Sequence, residues 1–352
     1  MSDLTKQFQE LVGDALAQGT PLDLQGSGSK HFYGREVNAS PLMLRGHQGV
    51  VNYEPKELVL TARCGTSLAE LEELLARQGQ MLAFEPPHFA ENATLGGTIA
   101  CGFSGPRRPY AGSARDFVLG VRMINGRGKV LRFGGEVMKN VAGYDVSRLM
   151  TGSLGTLGLI LDVSLKVLPL AEEETTLVQE RSPEEAVRLM NVWAGKPLPL
   201  SATCYDGVHL HLRLSGAPKA LVAGRKLIGG DIRKDGTDFW RNLREQQHGF
   251  FTSEKPLWRL SLPSHVPPLN LPGKHFIEWG GAQRWLITDA DAVTIRNAAS
   301  RAGGHATLFR GGDHAAEVFH PLTETLASLH RSLKLSFDPQ GIFNPGRMYN
   351  NL

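Results

Sequence analysis

The segment from Thr94 to Gly158 holds 14 of the 40 glycines in 65 of the 352 residues, about twice an even share. Its glycines cluster beside apolar runs, at 96–97, 102–105, 134–135 and 152–158. Glycine is needed where the backbone takes positive φ or where another group approaches it closely. The clustering indicates a main chain wrapped around a large, flat, charged ligand. Turns of a compact α/β domain are the alternative, and they explain the hairpin signal Asn125-Gly126 well.

The common nucleotide-binding motifs are absent from the sequence. It contains no Gly-x-x-x-x-Gly-Lys-Ser/Thr loop, and both approximations to Gly-x-Gly-x-x-Gly lack the third glycine. Gly26-Ser27-Gly28-Ser29 nevertheless follows a short strand-like run, and Lys30 adds a positive charge. Successive backbone N–H groups in such a loop can form an anion-binding nest. A plain turn remains equally compatible with this loop.

Several segments together resemble a known family. They occur in the order seen in FAD-binding domains of the vanillyl-alcohol oxidase / p-cresol methylhydroxylase (PCMH) type: Gly26-Ser-Gly-Ser, Ala93-Thr-Leu-Gly-Gly-Thr-Ile-Ala100, Gly112-Ser-Ala-Arg-Asp-Phe-Val118 and Gly152-Ser-Leu-Gly-Thr-Leu-Gly-Leu-Ile160. The tail Phe337-Asp-Pro-Gln-Gly-Ile-Phe-Asn-Pro-Gly-Arg347 resembles the C-terminal segment of FAD-linked oxidases of that fold. The resemblance covers about the first half of the chain and its last residues, and it implies FAD as cofactor.

Two further segments resemble the E-subunit family of bacterial glycolate oxidase complexes: Gly105-Pro-Arg-Arg-Pro-Tyr-Ala-Gly112 and Val137-Met-Lys-Asn-Val-Ala-Gly-Tyr-Asp145. This resemblance implies an FAD-binding subunit of a complex that oxidises glycolate, a small 2-hydroxy acid, to glyoxylate. The implied partners are a sister flavin subunit and an iron–sulfur subunit that receives the electrons. Two alternatives stay open: a structurally required, non-catalytic FAD-binding subunit, and a self-sufficient FAD-linked alcohol oxidase.

The expected fold class is α+β. The resemblance implies a PCMH-type FAD-binding domain of two subdomains over residues 1–170 and a cap domain over residues 171–335. Short turns between strands favour an antiparallel sheet in the cap, with helices on one face. Residues 336–352 are expected to return to the FAD domain.

Local patterns predict individual elements. Ser67 and Glu70 have the spacing of a capping box before a helix. Alternation over 161–167 predicts a half-buried strand, and 204–214 reads as a strand. The N-terminal helix is predicted to place five residues on one face: Leu4, Phe8, Leu11, Val12 and Leu16.

The predicted cofactor site combines glycine-rich loops with hydroxyl and amide side chains. Its residues are Gly26, Ser27, Gly28, Ser29, Thr94, Leu95, Gly96, Gly97, Thr98, Ser104, Gly105, Arg115, Asp116, Gly152, Gly155, Thr156, Ile160 and Asn344. A structural ion pair is an equally good interpretation of Arg115 and Asp116. Lys139-Asn140, beside Gly143-Tyr144-Asp145, is expected either at the flavin face or at a subunit contact.

The substrate site is less well specified, and the catalytic base stays unassigned. A 2-hydroxy acid needs a cation for its carboxylate, and arginine offers a bidentate fork. The candidates are Arg259, Arg284, Arg310 and Arg347, with His305 as a weak candidate for the base. Related dehydrogenases carry a His-Gly-Asp-Gly-Asn-type segment where this chain has Gly303-Gly-His-Ala-Thr-Leu-Phe-Arg310, without the acidic residue and the asparagine. No metal site is therefore expected; His209 and His211 are interpreted as a solvated pair.

Composition excludes other classes. A formal net charge of +3 is too small to indicate nucleic acid, and Arg107-Arg108 reads as a surface pair. Cys64, Cys101 and Cys204 form no Cys-x-x-Cys, so any iron–sulfur cluster is expected on another chain. No transmembrane run or secretory signal is found, and cytoplasmic residence is expected, with peripheral association with the inner membrane only through the complex.

Overall fold

A computed structural model describes residues 3–135 and 145–352. The helices are α1 (Thr5–Gln18), α2 (Leu68–Ala76), α3 (Leu95–Cys101), α4 (Arg108–Ala111), α5 (Ala114–Phe117), α6 (Val146–Leu149), α7 (Pro183–Ala194), α8 (Pro218–Ile228), α9 (Gly236–Arg244), α10 (Ala292–Arg301) and α11 (Glu324–Phe337). The strands are β1 (Leu22–Gln25), β2 (Ser40–Met43), β3 (Val50–Glu54), β4 (Val59–Arg63), β5 (Gln80–Met81), β6 (Val118–Ile124), β7 (Val130–Gly134), β8 (Leu159–Lys166), β9 (Leu168–Pro169), β10 (Glu173–Glu180), β11 (Leu200–Tyr205), β12 (His209–Gly216), β13 (Asp231–Ile232), β14 (Leu257–Ser261), β15 (Lys274–Glu278), β16 (Gln283–Ile287) and β17 (His305–Arg310). Helices and largely antiparallel sheets confirm the α+β class.

The first part of the chain is built on a five-stranded antiparallel sheet in the order β3-β4-β8-β6-β7. Strands β6 and β7 form the hairpin predicted about Asn125-Gly126. The Asn125 side-chain oxygen accepts hydrogen bonds from the amides of Arg127 and Lys129 at 3.1 and 3.0 Å. An asparagine that bonds the backbone just beyond itself is a common turn device, and it closes this hairpin.

The strand predicted over 161–167 forms as part of β8, but the prediction that it is half-buried is wrong, because β8 is buried along almost its whole length. It lies in the middle of the sheet, and its polar side chains find protein partners. Asp162 pairs with Arg122 and with the buried His47. Ser164 exchanges a hydrogen bond of 2.8 Å with Thr61. Polar groups that have hydrogen-bond partners can be buried at modest cost. The polar residues of β8 therefore did not indicate a solvent-exposed face.

A β-bulge also divides β8 between two cores. Arg122 pairs with Asp162 but the next residue, Met123, pairs with Ile160, so Leu161 is the extra residue. Leu161 consequently packs with α1, whereas the apolar residues after it pack with α2 and α3.

Two predictions for the helices need correction. The capping box at Ser67 does not form, since the Ser67 side chain makes no capping hydrogen bond; instead the Leu68 amide donates to the Ala93 carbonyl at 2.8 Å. On α1, Phe8 is buried as predicted but Leu11 is 40% exposed.

The second part carries an eight-stranded sheet in the order β13-β10-β12-β11-β15-β16-β14-β17, with every neighbouring pair antiparallel. The strand predicted over 204–214 is in fact two strands, β11 and β12, joined by a tight turn. Asp206 makes this turn by accepting hydrogen bonds from the amides of Val208 and His209 at 3.0 and 2.7 Å. An Asp-Gly step inside an apolar run is a turn signal that outweighs the run's continuity.

The sequence predicted that the helices of this part would lie on one face of the sheet. This prediction is wrong, because they lie on both faces. Helices α7, α8 and α10 pack on one face. Helix α9 lies on the other face, where Phe239 and Leu243 share a core with Tyr33 and Phe103 of the first part. This face of the sheet is the one turned toward the glycine-rich loops.

The last residues of the chain pair with its first strand. The Leu22 amide donates to the Ile342 carbonyl at 2.7 Å, and the Asn344 amide donates to the Leu22 carbonyl at 2.9 Å. Ahead of this segment, the Lys334 ammonium is buried and bonds Asp338 at 2.8 Å. The tail is thereby fixed beside β1 and the loop that follows it.

Candidate functional site

A cleft of about 810 Å³, including its open mouth, lies between β1, α3 and the loop before β8. Many of the residues predicted to bind the cofactor line it: Gly26, Ser27, Gly28, Ser29, Thr94, Gly96, Gly97, Gly155, Ile160 and Asn344. Four segments far apart in the sequence thus meet around one space, which we call the glycine cleft. Lys30, Cys101 and Arg347 line its inner part as well.

The loop after β1 offers unpaired backbone donors to the glycine cleft. No described residue accepts a hydrogen bond from the amides of Ser27, Gly28 or Ser29. Gly28 has φ of +79°, a left-handed conformation that suits glycine. The Lys30 ammonium, 6% exposed, reaches the Ser29 hydroxyl and the His88 carbonyl at 3.3 and 3.1 Å. Burial lowers the pKa of Lys30. Free amides beside a buried ammonium suit an anionic group.

The start of α3 differs, since its amides already have protein partners. Leu95 donates to the Thr66 carbonyl, Gly96 to the Cys64 carbonyl and Gly97 to the Thr94 hydroxyl, at 2.9, 2.7 and 3.3 Å. The Leu95 side chain points into the core of the first part. Thr94, Gly96 and Gly97 therefore shape the wall of the cleft, whereas Leu95 and Thr98 do not line it.

Protein packing accounts for two of the predicted glycines. A Cβ at Gly96 would lie 2.6 Å from the Cβ of Cys64, and one at Gly26 would collide with the Thr94 hydroxyl. The close approach inferred from the sequence is therefore real at both positions. It is an approach between chain segments, which brings the loop after β1 against α3.

The loop before β8 is held by the tail of the chain. Gly155 has φ of +75°, and a Cβ there would lie 2.8 Å from the Asn344 side-chain nitrogen. The Asn344 amide group bridges β1 and the loop before β8, because its oxygen accepts from the Leu24 amide and its nitrogen donates to the Leu154 carbonyl, each at 2.7 Å. Thr156 bonds the Ser153 carbonyl instead of lining the cleft.

Buried hydroxyls beside α3 lack partners in the part of the chain that the structure describes. They are the Oγ1 atoms of Thr98 and Thr151 and the Oγ atom of Ser153. Gly152, between the last two, has φ of +85° and donates to the Ile99 carbonyl at 3.0 Å. Unpaired buried hydroxyls are uncommon in folded proteins. The free amides and the buried ammonium of the glycine cleft fit the negatively charged phosphates of a dinucleotide cofactor.

Ser104 and Gly105 lie in a second, smaller pocket between the first part and the eight-stranded sheet, with about 350 Å³ of empty space when its open mouth is included. We call it the interdomain pocket. The Gly105 carbonyl accepts a hydrogen bond from the Trp279 indole at 3.1 Å. The Ser104 hydroxyl accepts from the Ala114 amide at 2.9 Å. Gly105 thus helps to join the two parts of the chain, whereas the Ser104 hydrogen bond lies within the first part.

Arg115 and Asp116 lie at the surface, on α5. The Asp116 carboxylate accepts hydrogen bonds from the amide and the hydroxyl of Ser113, both at 2.8 Å. These bonds lower the pKa of Asp116 against the opposing effect of burial. Asp116 therefore caps α5.

Two of the candidate arginines belong to an aromatic cluster. Arg259, on β14, lines the interdomain pocket and donates to the Tyr33 hydroxyl at 2.9 Å. Arg310, on β17, donates to the Gln246 side chain at 2.7 Å and stacks 4.7 Å from the ring centre of Phe32. Arg310 does not line the interdomain pocket.

The remaining candidates have structural partners or lie at the surface. Arg347 donates to the carbonyls of His31, Tyr33 and Arg35. Arg284 is buried and donates to two backbone carbonyls.

His305 is exposed at the start of β17, and burial of its ring together with nearby charges lowers its pKa. It lines neither the glycine cleft nor the interdomain pocket.

A buried carboxylate in the interdomain pocket was missed at the sequence level. Glu278, at the end of β15, is 5% exposed and accepts hydrogen bonds from Gln283 and from the Trp285 indole. Burial raises the pKa of Glu278 to about 7, although these hydrogen bonds act in the opposite direction. Nothing in the sequence around Glu278, a strand residue with apolar neighbours, indicated that its carboxyl group would line a pocket.

A partly buried carboxylate, Glu85, joins the two parts. Its oxygens accept from Arg213 of β12 at 2.8 and 3.0 Å and from the Arg107 side chain at 3.2 Å. Burial raises the pKa of Glu85, but the two guanidinium groups outweigh that effect and lower it. The prediction that Arg107-Arg108 is a surface pair is wrong, because Arg107 is buried here and Arg108 stacks 4.4 Å from the ring centre of Trp279.

The interpretation of the histidine pair on β12 as solvated fails for one member: the His209 side chain is 45% exposed, whereas that of His211 is not. His211 is buried, bonds Asp206 at 2.9 Å and stacks on Phe239 with ring centres 4.4 Å apart. In the described part of the chain, no cluster of three His, Cys, Asp or Glu side chains could hold a metal ion. The contact predicted for Lys139-Asn140 and Gly143-Tyr144 lies outside the described residues.

Comparisons with known proteins agree with this geometry. Residues 4–134 match the family model described as an FAD binding domain. The glycolate oxidase subunit GlcE of Escherichia coli (strain K12) is 51% identical over 350 residues, which cover 99% of this chain and 99% of that protein. The chain belongs to the GlcE family of glycolate oxidase subunits. The cofactor prediction of FAD and the family predicted from the sequence are confirmed.

More distant relatives share part of the chain or only the fold. The glycolate oxidase subunit GlcD of Bacillus subtilis (strain 168) is 32% identical over 206 residues, covering 57% of this chain and 44% of that protein. A solved alkyldihydroxyacetonephosphate synthase aligns with a TM-score of 0.65 at 16% identity, covering 96% of this chain and 74% of that one. This second likeness extends the fold assignment over both parts of the chain.

Within residues 3–135 and 145–352, none of the helices combines the length and the apolar character needed to cross a bilayer.

Proposed function

We propose that this chain is the FAD-binding subunit of a glycolate oxidase complex, which oxidises glycolate to glyoxylate. The observation that carries the proposal is the 51% identity with GlcE, which extends over 99% of both chains. Both the glycine cleft and the interdomain pocket lie within that length.

The residues of the glycine cleft fit FAD by chemistry as well as by shape. The amides of residues 27–29 and the Lys30 ammonium supply donors and a positive charge for its pyrophosphate. Gly155 and Asn344 hold the opposite wall. When bound, FAD accepts a hydride from a substrate carbon. The protein then has to orient the substrate and take the hydroxyl proton.

Partners are part of the proposal. We infer a sister flavin subunit and an iron–sulfur subunit that receives the electrons, because this chain has three scattered cysteines and GlcE is named as a subunit. We place the complex in the cytoplasm, with any membrane association made through the other subunits. The proposed domain limits remain 1–170 for FAD binding, 171–335 for the cap and 336–352 for the returning tail.

A second candidate function is an FAD-binding subunit that is structurally required but does not oxidise glycolate itself. One observation favours it. Two candidates for holding the substrate carboxylate, Arg347 and Arg284, already donate hydrogen bonds to backbone carbonyls. The exposed position of His305 also removes the histidine that the sequence offered as a base.

Co-expression with and without the two partner subunits tests the main proposal. We expect about one FAD released per chain on denaturation, measured by absorbance, and glycolate-dependent dye reduction at the full steady-state rate only when all three subunits are present. A preparation that stays colourless after incubation with excess FAD contradicts the cofactor assignment. Full steady-state turnover by the isolated chain contradicts the subunit assignment.

A further inference from the structure

The interdomain pocket has two walls of different origin. One consists of aromatic and backbone groups around Phe89 and residues 103–106 of the FAD-binding part. The other is the face of the eight-stranded sheet that carries Arg259, Glu278 and Trp285. A guanidinium and a carboxyl group thus line one apolar enclosure, an arrangement typical of small-ligand sites.

Arg259 has donors to spare in this pocket. Its Nη2 atom donates to the Tyr33 hydroxyl, and its guanidinium carbon lies 5.5 to 5.7 Å from the ring centres of Tyr33, Phe103 and Phe309. No residue in the described ranges accepts a hydrogen bond from its Nε or Nη1 atom. The rings fix the orientation of the guanidinium while these two donors stay open to a carboxylate.

Glu278 has one oxygen engaged and one free. Its Oε2 atom accepts the hydrogen bonds from Gln283 and Trp285. None of the described residues hydrogen-bonds its Oε1 atom. Two donors on one oxygen fix the carboxyl group and leave the other oxygen to receive a proton.

The sheet register places the two groups on the same wall of the pocket, on strands separated by β16. Arg259 pairs with Trp285, and Trp285 pairs with Phe276, two residues before Glu278 on the same strand. Residues two apart on a strand share a face, and neighbouring strands lie about 5 Å apart. With the offset of two residues along β15, the two side chains rise from backbone positions about 12 Å apart, and Trp285 lies on the strand between theirs. That span suits a molecule of the size of glycolate.

We propose that this pocket binds a small 2-hydroxy monocarboxylate, with Arg259 holding its carboxylate and Glu278 accepting its hydroxyl proton. The inference rests on the proposed function, and it assigns the substrate to this subunit. The O–H bond breaks and its proton passes to the Oε1 atom of Glu278. The hydrogen on C2 leaves with its electron pair to a two-electron acceptor of the flavin class, and a C=O bond forms.

The surroundings of Glu278 suit this task. A base works best when its pKa lies near the operating pH, and burial sets the pKa of Glu278 at about 7. The charged or titratable groups facing it are Arg259 from β14, Arg244 from α9 and Cys204 from β11. Burial holds the pKa of the Cys204 thiol well above its ordinary value, so that thiol stays neutral while Glu278 titrates.

Titration calorimetry and anaerobic single turnover on the full FAD-loaded chain test the proposal. The wild type should bind glycolate and acetate, since both carry the carboxylate. Arg259→Ala should weaken both by roughly 10- to 100-fold, the loss of a charged hydrogen-bonded pair. Glu278→Gln should keep the glycolate Kd within about threefold, yet slow flavin reduction by roughly 100-fold or more and remove the pH dependence of that rate near 7.

Matched variants separate these effects from damage to the fold. Arg310→Ala removes a guanidinium from the same aromatic cluster but outside the pocket, and Glu180→Gln changes an exposed glutamate of the same sheet. Both should bind glycolate as the wild type does. Arg259→Lys, which keeps the charge, should recover part of the affinity, and circular dichroism reports whether each variant is folded.

Two results overturn the proposal: wild-type chain that does not bind glycolate, and folded variants at Arg259 and Glu278 that behave as the wild type. Either result, in a chain that carries FAD and supports glycolate oxidation in the complex, removes this pocket and leaves the proposed function standing. Loss of FAD from the wild-type chain itself is the result that removes the proposed function.

Discussion

The glycine cleft and the interdomain pocket are built by different means. The cleft is made largely of backbone, with the free amides of residues 27–29 and the left-handed glycines 28 and 155. The pocket is made of side chains, with Arg259 and Glu278 among aromatic rings. Backbone donors are present whatever the side chain is, whereas a carboxyl group with a raised pKa depends on each neighbour. The cleft should therefore be sensitive to glycine replacement, and the pocket to polar substitution.

The most damaging change should be Glu85→Ala, which affects the boundary between the two regions. It leaves Arg213 buried without its counter-charge and leaves Arg107 with Glu174 alone, and removing one partner of a buried ion pair costs about 3–5 kcal/mol. Urea denaturation measures the loss. Glu73→Ala removes an exposed ion pair with Arg77 and should cost less than about 0.5 kcal/mol. Equal losses for the two variants would show that the boundary is not held by this ion pair.

A smaller effect is expected from the pocket, where Glu278 should make the free energy of unfolding depend on pH. Burial raises the pKa of Glu278 from 4.5 to about 7, so the folded chain binds this proton more tightly than the unfolded chain does. The free energy of unfolding should therefore fall as pH rises from about 4.5 to 7, by about 3 kcal/mol from this group. Glu278→Gln should remove that slope. Stability curves of wild type and variant that stay parallel from pH 4.5 to 8 would refute the assignment.

The cleft should respond to Asn344→Ala. The substitution removes the bridge between the Leu24 amide and the Leu154 carbonyl, two hydrogen bonds of 2.7 Å. Freed loops should weaken FAD binding by about 1–3 kcal/mol, or roughly 10- to 100-fold, as measured by fluorescence titration of apoprotein. Asn351→Ala, at an exposed position of the same tail, is the control and should leave the Kd unchanged. Equal Kd values would remove the bridge from the cofactor site.

The smallest effect is expected from Gly28→Ala. Nothing lies within 4 Å of a Cβ at this position, so its cost is the left-handed backbone alone, about 1 kcal/mol. Gly26→Ala adds a collision with the Thr94 hydroxyl and should weaken FAD binding further. Comparing the FAD Kd of the two variants separates conformational strain from steric contact. A larger loss for Gly28→Ala would show that its surroundings are not open.

Many of the residues that line the cleft could be predicted from the sequence because they carry local signals, and their contact with FAD stays a prediction. The left-handed conformations of Gly28 and Gly155 need glycine, and glycine is visible in a sequence. The sequence did not reveal why each glycine is needed. Gly96, for example, is required by packing against Cys64. The pocket had no local signal: Glu278 meets Trp285 only through the pairing of β15 with β16, and Glu85 meets Arg213 across 128 residues. Such contacts depend on tertiary pairing, which periodicity does not report.

The position of Asn344 has a consequence for biosynthesis. The Leu24 amide donates its hydrogen bond to Asn344, a residue that is translated 320 residues later. While the chain is still growing on the ribosome, β1 and the loop before β8 exist without the side chain that ties them together. We therefore expect the nucleotide to be bound at full affinity only after residue 344 has been translated, and a nascent chain stalled before it should bind FAD roughly 10- to 100-fold more weakly than the full chain.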